Sequence, residues 1–164
     1  MSDVRIARTA EEYAESFHAA VDYVARERRY IGFVEAPPVE STREFLRKIV
    51  ADAGIQFLAV TPDNGVVGWC DIIRNPVEGF RHVGRLGMGL LPDYRRRGLG
   101  RQLATAAIHA ARDAGIERIE LEVFATNEAA IGLYRTLGFA TEGVKCKTRK
   151  LDGRYEDNLL MALV

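Results

Sequence analysis

The sequence predicts one mixed α/β domain spanning residues 1–164, with a central β-sheet of about six to seven strands flanked by four helices. Three observations carry that prediction. Apolar residues recur at helical spacing in the first third of the chain and at strand spacing from Ile55 onward. A strand-like run, a long amphipathic helix and a second strand follow one another between Val83 and Phe124, and such a unit is parallel. At 164 residues, 48% apolar and 28% charged, the chain has enough material for one core and is cramped for two.

The elements follow in order. Val4 to Ala7 reads as a short first strand. From Ala10 to about Arg28, Tyr13, Phe17, Val21 and Val24 recur at helical spacing. Arg29 to Glu40 mixes aromatics with Gly32, Pro37 and Pro38 and reads as a loop. Ser41 and Glu44 have capping-box spacing and predict a helix over Thr42 to Ala53, which Gly54 ends. Ile55 to Thr61 and Val66 to Arg74 are strand-like and joined by the turn signal Pro62-Asp63-Asn64-Gly65. Val83 to Leu91 is a further strand whose glycines, Gly84, Gly87 and Gly89, predict a bulge or a close approach of another molecule. A helix from about Gly98 to Ala114 places Leu99, Leu103, Ala107 and Ala110 on one face and stops at Gly115. Glu117 to Phe124 is a strand, and Asn127 caps a helix that runs to about Leu137 and stops at Gly138. Phe139 to Lys150 and Arg154 to Val164 form a last hairpin through Asp152-Gly153.

Charge and composition narrow the function classes. Lys plus Arg and Asp plus Glu both number 23, so no net charge draws the chain to nucleic acid or to a membrane surface. No apolar run approaches the ~20 residues that span a bilayer. Met1 to Ala10 carries Asp3, Arg5 and Arg8 and does not read as a signal peptide. Cys70 and Cys146 match no metal or redox spacing and are expected to be buried in a reducing compartment, with the cytoplasm as the default. His18, His82 and His109 have no spacing that suggests a metal or a triad.

The most informative stretch is Arg95-Arg96-Arg97-Gly98-Leu99-Gly100-Arg101, placed between the glycine-rich strand and the long helix. A glycine turn lets main-chain N–H groups converge, and the helix that follows aims the positive end of its dipole at the same point. Added arginine suits a pyrophosphate. A nucleoside-triphosphate loop needs Gly-Lys-Ser/Thr, whereas Gly100 is followed by Arg101-Gln102. A dinucleotide fingerprint needs a third glycine where Leu103 stands, although Glu120 and Glu122 lie near the place of its ribose-binding acid.

These residues resemble the GNAT superfamily of acetyl-CoA-dependent N-acetyltransferases. Its Gln/Arg-x-x-Gly-x-Gly/Ala signature is met by Arg95, Gly98 and Gly100, after Leu90-Leu91-Pro92-Asp93-Tyr94. A second block follows at Asn127-Glu128-Ala129-Ala130-Ile131-Gly132-Leu133-Tyr134 and closes with Leu137-Gly138-Phe139. Leu121-Glu122-Val123, Asn127 and Leu133-Tyr134 are most similar to the ribosomal-protein alanine N-acetyltransferase group. The resemblance runs from about Ile55 to the carboxyl end. The stretch before it, where an acceptor would bind, shows no comparable likeness.

The resemblance implies acetyl-CoA as cosubstrate, no metal, an amine acceptor, and direct transfer in a ternary complex. It implies that Glu122 takes the amine's proton, with Glu120 on the same strand face and Asp71 on a neighbouring strand as further candidates. It implies that Tyr134 returns a proton to the leaving thiolate, since phenol and alkyl thiol have pKa values close to one another. Leu90 is expected to offer its N–H to the oxyanion, freed by a bulge at Gly87–Gly89, with Met88 and Gly89 offering backbone groups to the pantetheine arm. Arg95, Arg96, Arg97, Gly98, Leu99, Gly100 and Arg101 are expected at the phosphates, and Asn127 at the coenzyme as well as at the helix cap. Tyr30, Phe33, Trp69 and Tyr155 are read as acceptor-pocket or core residues. A module that binds acetyl-CoA without transferring it is the alternative reading. Such proteins often pair as homodimers, but no pattern in the sequence requires it.

Overall fold

A computed structural model describes residues 3–164. Met1 and Ser2, which open the segment read above as lacking signal-peptide character, lie outside the described residues. Among those described, no helix is long and apolar enough to cross a membrane.

The strands are β1 (Arg5–Arg8), β2 (Ile55–Val60), β3 (Val66–Arg74), β4 (Val83–Leu90), β5 (Arg118–Phe124), β6 (Ala140–Leu151) and β7 (Arg154–Leu163). The helices are α1 (Ala14–Arg26), α2 (Val39–Ala51), α3 (Leu99–Asp113) and α4 (Glu128–Thr136). The strands form one sheet in the order β1-β2-β3-β4-β5-β7-β6. Among the described residues only the β4–β5 pair is parallel, as the strand–helix–strand unit requires. The other neighbours pair antiparallel.

Each face of the sheet is covered by two helices. On one, Cys70, Ile72, Leu86 and Leu121 pack against Leu103, Ala104 and Ala107 of α3 and Ile131 and Tyr134 of α4. On the other, Leu58, Val60 and Trp69 pack against Phe17 and Val24 of α1 and Leu46 of α2. Leu103 is fully buried. Its truncation to alanine costs about 2–5 kcal/mol.

Four local readings change. The second helix begins at Val39 behind Pro38, and no side chain of the described residues caps it, so Ser41 lies inside the first turn and the Ser41–Glu44 box is not formed. Two consecutive prolines, Pro37 and Pro38, hold the chain extended up to the helix start. The residue that ends this helix in the left-handed region is Ala53 (φ 49°), and the Gly54 N–H closes back onto the Ile49 carbonyl at 2.7 Å. The first helix is shorter than the periodicity suggests, with a single 3-10 turn at Glu11–Tyr13 before it. Cys70 is buried as expected, but Cys146 is exposed on β6.

No bulge interrupts β4. Its register against β3 is continuous from Gly84 opposite Arg74 to Leu90 opposite Gly68. The glycines answer to packing. A Cβ on Gly89 would stand 2.4 Å from Trp69 Cη2, and one on Gly84 would stand 2.6 Å from Ile72 Cγ2. Gly87 is different: only Asp71 Oδ1, at 3.4 Å, lies within 4 Å of where its Cβ would be.

A candidate active site where the sheet parts

β4 and β5 pair over three positions only, from Val83 with Arg118 to Arg85 with Glu120. Beyond Arg85 the strands diverge, because β4 stays with β3 while β5 stays with β7. The Leu91 N–H donates to the Val67 carbonyl at 2.9 Å, so alternate N–H groups of β4, those of Met88 and Leu90, point away from β3. They face the gap that β5 leaves. The free Leu90 N–H expected from a bulge is therefore supplied by the parting of the strands. The Leu90 carbonyl is taken by Arg95 Nε at 3.0 Å.

A cleft of about 840 Å³ occupies this parting, lined along β4 from Arg85 to Leu90 and along β5 from Glu122 to Phe124. Its far end is the start of α3. Arg96 (φ 59°) and Gly98 (φ 79°) are both left-handed, and no side chain of the described residues caps the helix. Two left-handed residues just before an uncapped helix turn successive N–H groups toward one point, which makes an anion-binding concavity. Gly100 borders the cleft and lets the helix start pack closely, since a Cβ there would stand 3.3 Å from Leu133 Cδ2 and 3.4 Å from Leu90 Cδ1.

The arginine cluster divides in two. Arg96 and Arg101 line the cleft with Gly98 and Gly100. Arg95 also borders it, but its guanidinium is spent on Glu27 at 2.5 and 3.0 Å and lies 4.5 Å over the Tyr30 ring. It ties the α1–α2 loop to the phosphate turn. Arg97 turns onto Tyr94, 5.5 Å from its ring centre, and Leu99 is buried in the core; neither lines the cleft.

Glu122 sits on the cleft wall. Its Oε1 accepts from Lys145 Nζ at 2.8 Å and lies 3.4 Å from Arg85, and its Oε2 accepts from Asn158 Nδ2 at 3.1 Å. The Lys145 bond, above all, holds its carboxyl below the usual range against the opposing effect of burial. Glu120 is turned to Arg118 at 3.2 Å and does not line the cleft. Asp71 does not line the cleft either; it stands opposite Gly87, which does, and burial, eased by Gln56, pushes its carboxyl up to about 7.

Tyr134 reaches the cleft from α4 on the opposite face of the sheet from Glu122. It is buried against Phe139, with ring centres 5.7 Å apart. Burial first, and the neighbouring Cys70 second, raise its phenol far above the ordinary value, so it stays protonated. Asn127 caps α4 through the Ala130 N–H at 3.2 Å and also lines the cleft. Tyr30 and Phe33 line the cleft, while Trp69 is buried against Phe17 and Tyr155 is exposed on the last hairpin, outside it. Arg85, Phe124 and Asn158 are cleft residues that the motif reading missed. Strand alternation would have found two of them: Arg85 stands two residues before Gly87, and Phe124 two residues after Glu122.

Residues 23–139 match the acetyltransferase (GNAT) family. The chain belongs to that family. The bS18-alanine N-acetyltransferase of Escherichia coli K12 is 40% identical over 72 residues, which cover 44% of this chain and 49% of that enzyme. The chain thus spans about half the length of the curated relatives it matches first. Among solved structures, a GNAT-family acetyltransferase from Streptococcus pneumoniae superposes with a TM-score of 0.91 at 27% identity, over 98% of this chain and 99% of that one. The putative acetyltransferase YncA of Salmonella typhimurium, solved with acetyl-CoA, shares the fold with a TM-score of 0.89 at 18% identity, over 98% and 92% of the chains. As a GNAT chain, the protein has its glycine turn, its parted strands and its α4 tyrosine at one cleft.

Proposed function

We propose that this chain is an N-acetyltransferase that moves the acetyl group of acetyl-CoA to a primary amine within a ternary complex. The observation that carries this is the parted sheet, with a carboxylate on one face of the gap (Glu122) and a phenol on the other (Tyr134). Nitrogen loses a proton on one side of the reacting carbon and sulfur gains one on the other, and the gap holds an anion on the first side and a proton donor on the second.

The cleft fits acetyl-CoA by its own chemistry. The turn from Arg96 to Arg101 presents N–H groups, an uncapped helix start and two guanidinium groups to a diphosphate. The unpaired edge of β4 at Met88 and Leu90 offers N–H groups to a peptide-like arm, and the Leu90 N–H polarises a carbonyl oxygen set against it. Acetyl-CoA supplies the activated acyl carbon. Tyr134 holds its proton for the departing sulfur, and Asn127 fixes the helix that carries Tyr134. Glu122, kept ionised by Lys145, attracts the acceptor's nitrogen.

The acceptor is a primary amine of a small molecule or of a protein amino terminus; the relative from Escherichia coli K12 is named for an alanine of ribosomal protein bS18. A protein that only senses acetyl-CoA needs the phosphate turn and has no use for Glu122 and Tyr134 on either side of the gap. The test is free-thiol release by the purified full chain with acetyl-CoA and four amines: L-alaninamide, an alanyl peptide, L-methionine sulfone and putrescine. Amine-dependent release is expected with at least one of them. Calorimetric binding of acetyl-CoA without release for any amine would leave the sensor reading standing, and no binding at all would remove both.

A further inference from the structure

Three side-chain positions form one row across the strands. Asp71 on β3 stands opposite Gly87 on β4. Arg85 stands opposite Glu120, and the same register carried two residues further sets Gly87 level with Glu122. The 3.4 Å between Arg85 and Glu122 shows that both side chains are on this face of the sheet. Gly87 lies between two carboxylates at the point where the sheet opens, and it lines the cleft.

The row has a hollow at its centre. Gly84 and Gly89 are overlain by Ile72 and Trp69, whereas above Gly87 only Asp71 Oδ1 is in reach. The other oxygen, Oδ2, accepts from Gln56 Nε2 at 3.4 Å, and Gln56 is the residue opposite Asp71 on β2. Oδ1 is therefore directed to the hollow and Oδ2 to the interior. The two carboxylates differ in their company. Glu122 has Lys145, Arg85 and Asn158. Asp71 has Gln56 alone.

We propose that the hollow over Gly87 seats the acceptor's primary amine, with Asp71 as the group that takes its proton and Glu122 as the anchor that holds the nitrogen. The inference rests on the transferase reading and divides the proton work within it. An ammonium entering between two carboxylates gives one proton to Asp71 Oδ1 and becomes a neutral amine. Its lone pair forms the C–N bond to the acyl carbon as the C–S bond breaks. Sulfur takes the proton of Tyr134, the second proton lost by nitrogen restores the phenol, and the proton on Asp71 returns to solvent. Two protons thus leave nitrogen, one ending on sulfur and one in water.

A base that operates near pH 7 needs a proton affinity near that value, which burial gives Asp71 and the Lys145 bond denies Glu122. Gln56 from β2 stands opposite Asp71 and bonds it, while Arg85 of β4 and Glu122 of β5 share its face of the sheet and pair with each other, with Lys145 of β6 on Glu122. The overlying helix α1 contributes Phe17, Ala20 and Val24 to this side of the sheet.

The experiment uses the full chain, acetyl-CoA, and L-alaninamide or L-methionine sulfone as the amine. Asp71→Asn is expected to lower kcat at least 100-fold and to abolish the limb of the kcat/KM profile that rises to a midpoint near 7. Glu122→Gln is expected to raise the amine's KM at least tenfold and to keep that limb. Gly87→Ala adds one methyl in ordinary contact with Asp71, so it folds, and it is expected to raise the same KM while acetyl-CoA affinity stays within twofold. A readout without turnover is the Asp71 carboxyl carbon in ¹³C-aspartate-labelled protein, assigned by its loss in Asp71→Asn. With CoA bound, adding L-alaninamide should lower its titration midpoint, because a cation beside it favours the carboxylate. An Asp71→Asn enzyme within threefold of wild type, a limb lost in Glu122→Gln instead, or an unmoved midpoint would each overturn the assignment. Absence of thiol release by the wild type with every amine would remove the transferase reading itself, and this inference with it.

Discussion

Arg85 and Glu120 are the last residues at which β4 and β5 pair, and everything attributed to the cleft lies beyond them. β4 keeps β3 from Gly84 to Leu90 and β5 keeps β7 from Ile119 to Phe124, both without a register shift, so the parting needs no irregularity in either strand. A parallel pair of three residues anchors the two halves, and the gap beyond it exposes the N–H groups of Met88 and Leu90. The same gap lets Glu122 and Tyr134, on opposite faces, reach one space.

Tyr134→Phe is expected to lower kcat by 10²–10⁴-fold, roughly the span of general-acid effects, and to leave acetyl-CoA affinity unchanged. Burial keeps the phenol protonated far into the alkaline range. Wild-type kcat should therefore show no decline up to about pH 10 that Tyr134→Phe removes. A profile falling in the wild type and flat in the variant at pH 8–9 would contradict the environment described for this residue.

Gly98 and Gly100 serve the phosphate turn for different reasons. Gly98→Ala places a side chain at φ 79°, with nothing within 4 Å to clash, so its cost is backbone strain of about 1–2 kcal/mol, readable in urea melts. Gly100→Val is unstrained in backbone but fills the approach to the helix start beside Leu133 and Leu90. It is expected to weaken acetyl-CoA binding at least tenfold, which is about 1.4 kcal/mol. Calorimetry on both variants separates the effects, and equal affinities for Gly100→Val and wild type would move the diphosphate away from this turn.

Arg95 belongs to the family signature, yet its guanidinium is committed to Glu27 and the Leu90 carbonyl. A charge already neutralised inside the protein adds little to the attraction of a phosphate. Arg95→Met should cost about 1–3 kcal/mol of stability, as expected for partly buried charged hydrogen bonds. A double-mutant cycle with Glu27→Gln should return a coupling above about 1 kcal/mol. Coupling near zero in urea melts would mean that the pair holds nothing together.

The parts of this fold legible in the sequence were those written in local chemistry. Asn127 caps α4, Gly115 and Gly138 are left-handed at helix ends, and Asp152-Gly153 turns the last hairpin with both residues at positive φ. The β4 glycines were legible as unusual but not in cause, because Trp69 and Ile72, which lean over two of them, come from another strand. The arginine run pointed to the phosphate end, but which members were free depended on Glu27, 68 residues earlier than Arg95. Asp71 was legible as a candidate carboxylate from its strand alone. That it stands level with Glu122 across an empty Gly87 required the registers of three strands.

Asp71 should also leave its mark on stability. Its folded carboxyl has a pKa of about 7 against an ordinary 3.8. Between those values the unfolded chain has released the proton while the folded chain still holds it, so the folded state binds more protons and is favoured by acid. Stability attributable to this residue therefore declines as pH rises from about 4 to 7 and is level above that. The loss is on the order of a few kcal/mol at most. Asp71→Asn has no such proton, so its stability relative to wild type should improve steadily through that window in urea melts at pH 4.5, 6 and 8. A constant difference between the two proteins would mean that Asp71 ionises in the fold as it does in water. A carboxylate that costs stability when charged, set opposite a glycine that lines an open cleft, is one whose charge is useful to a cation that arrives there.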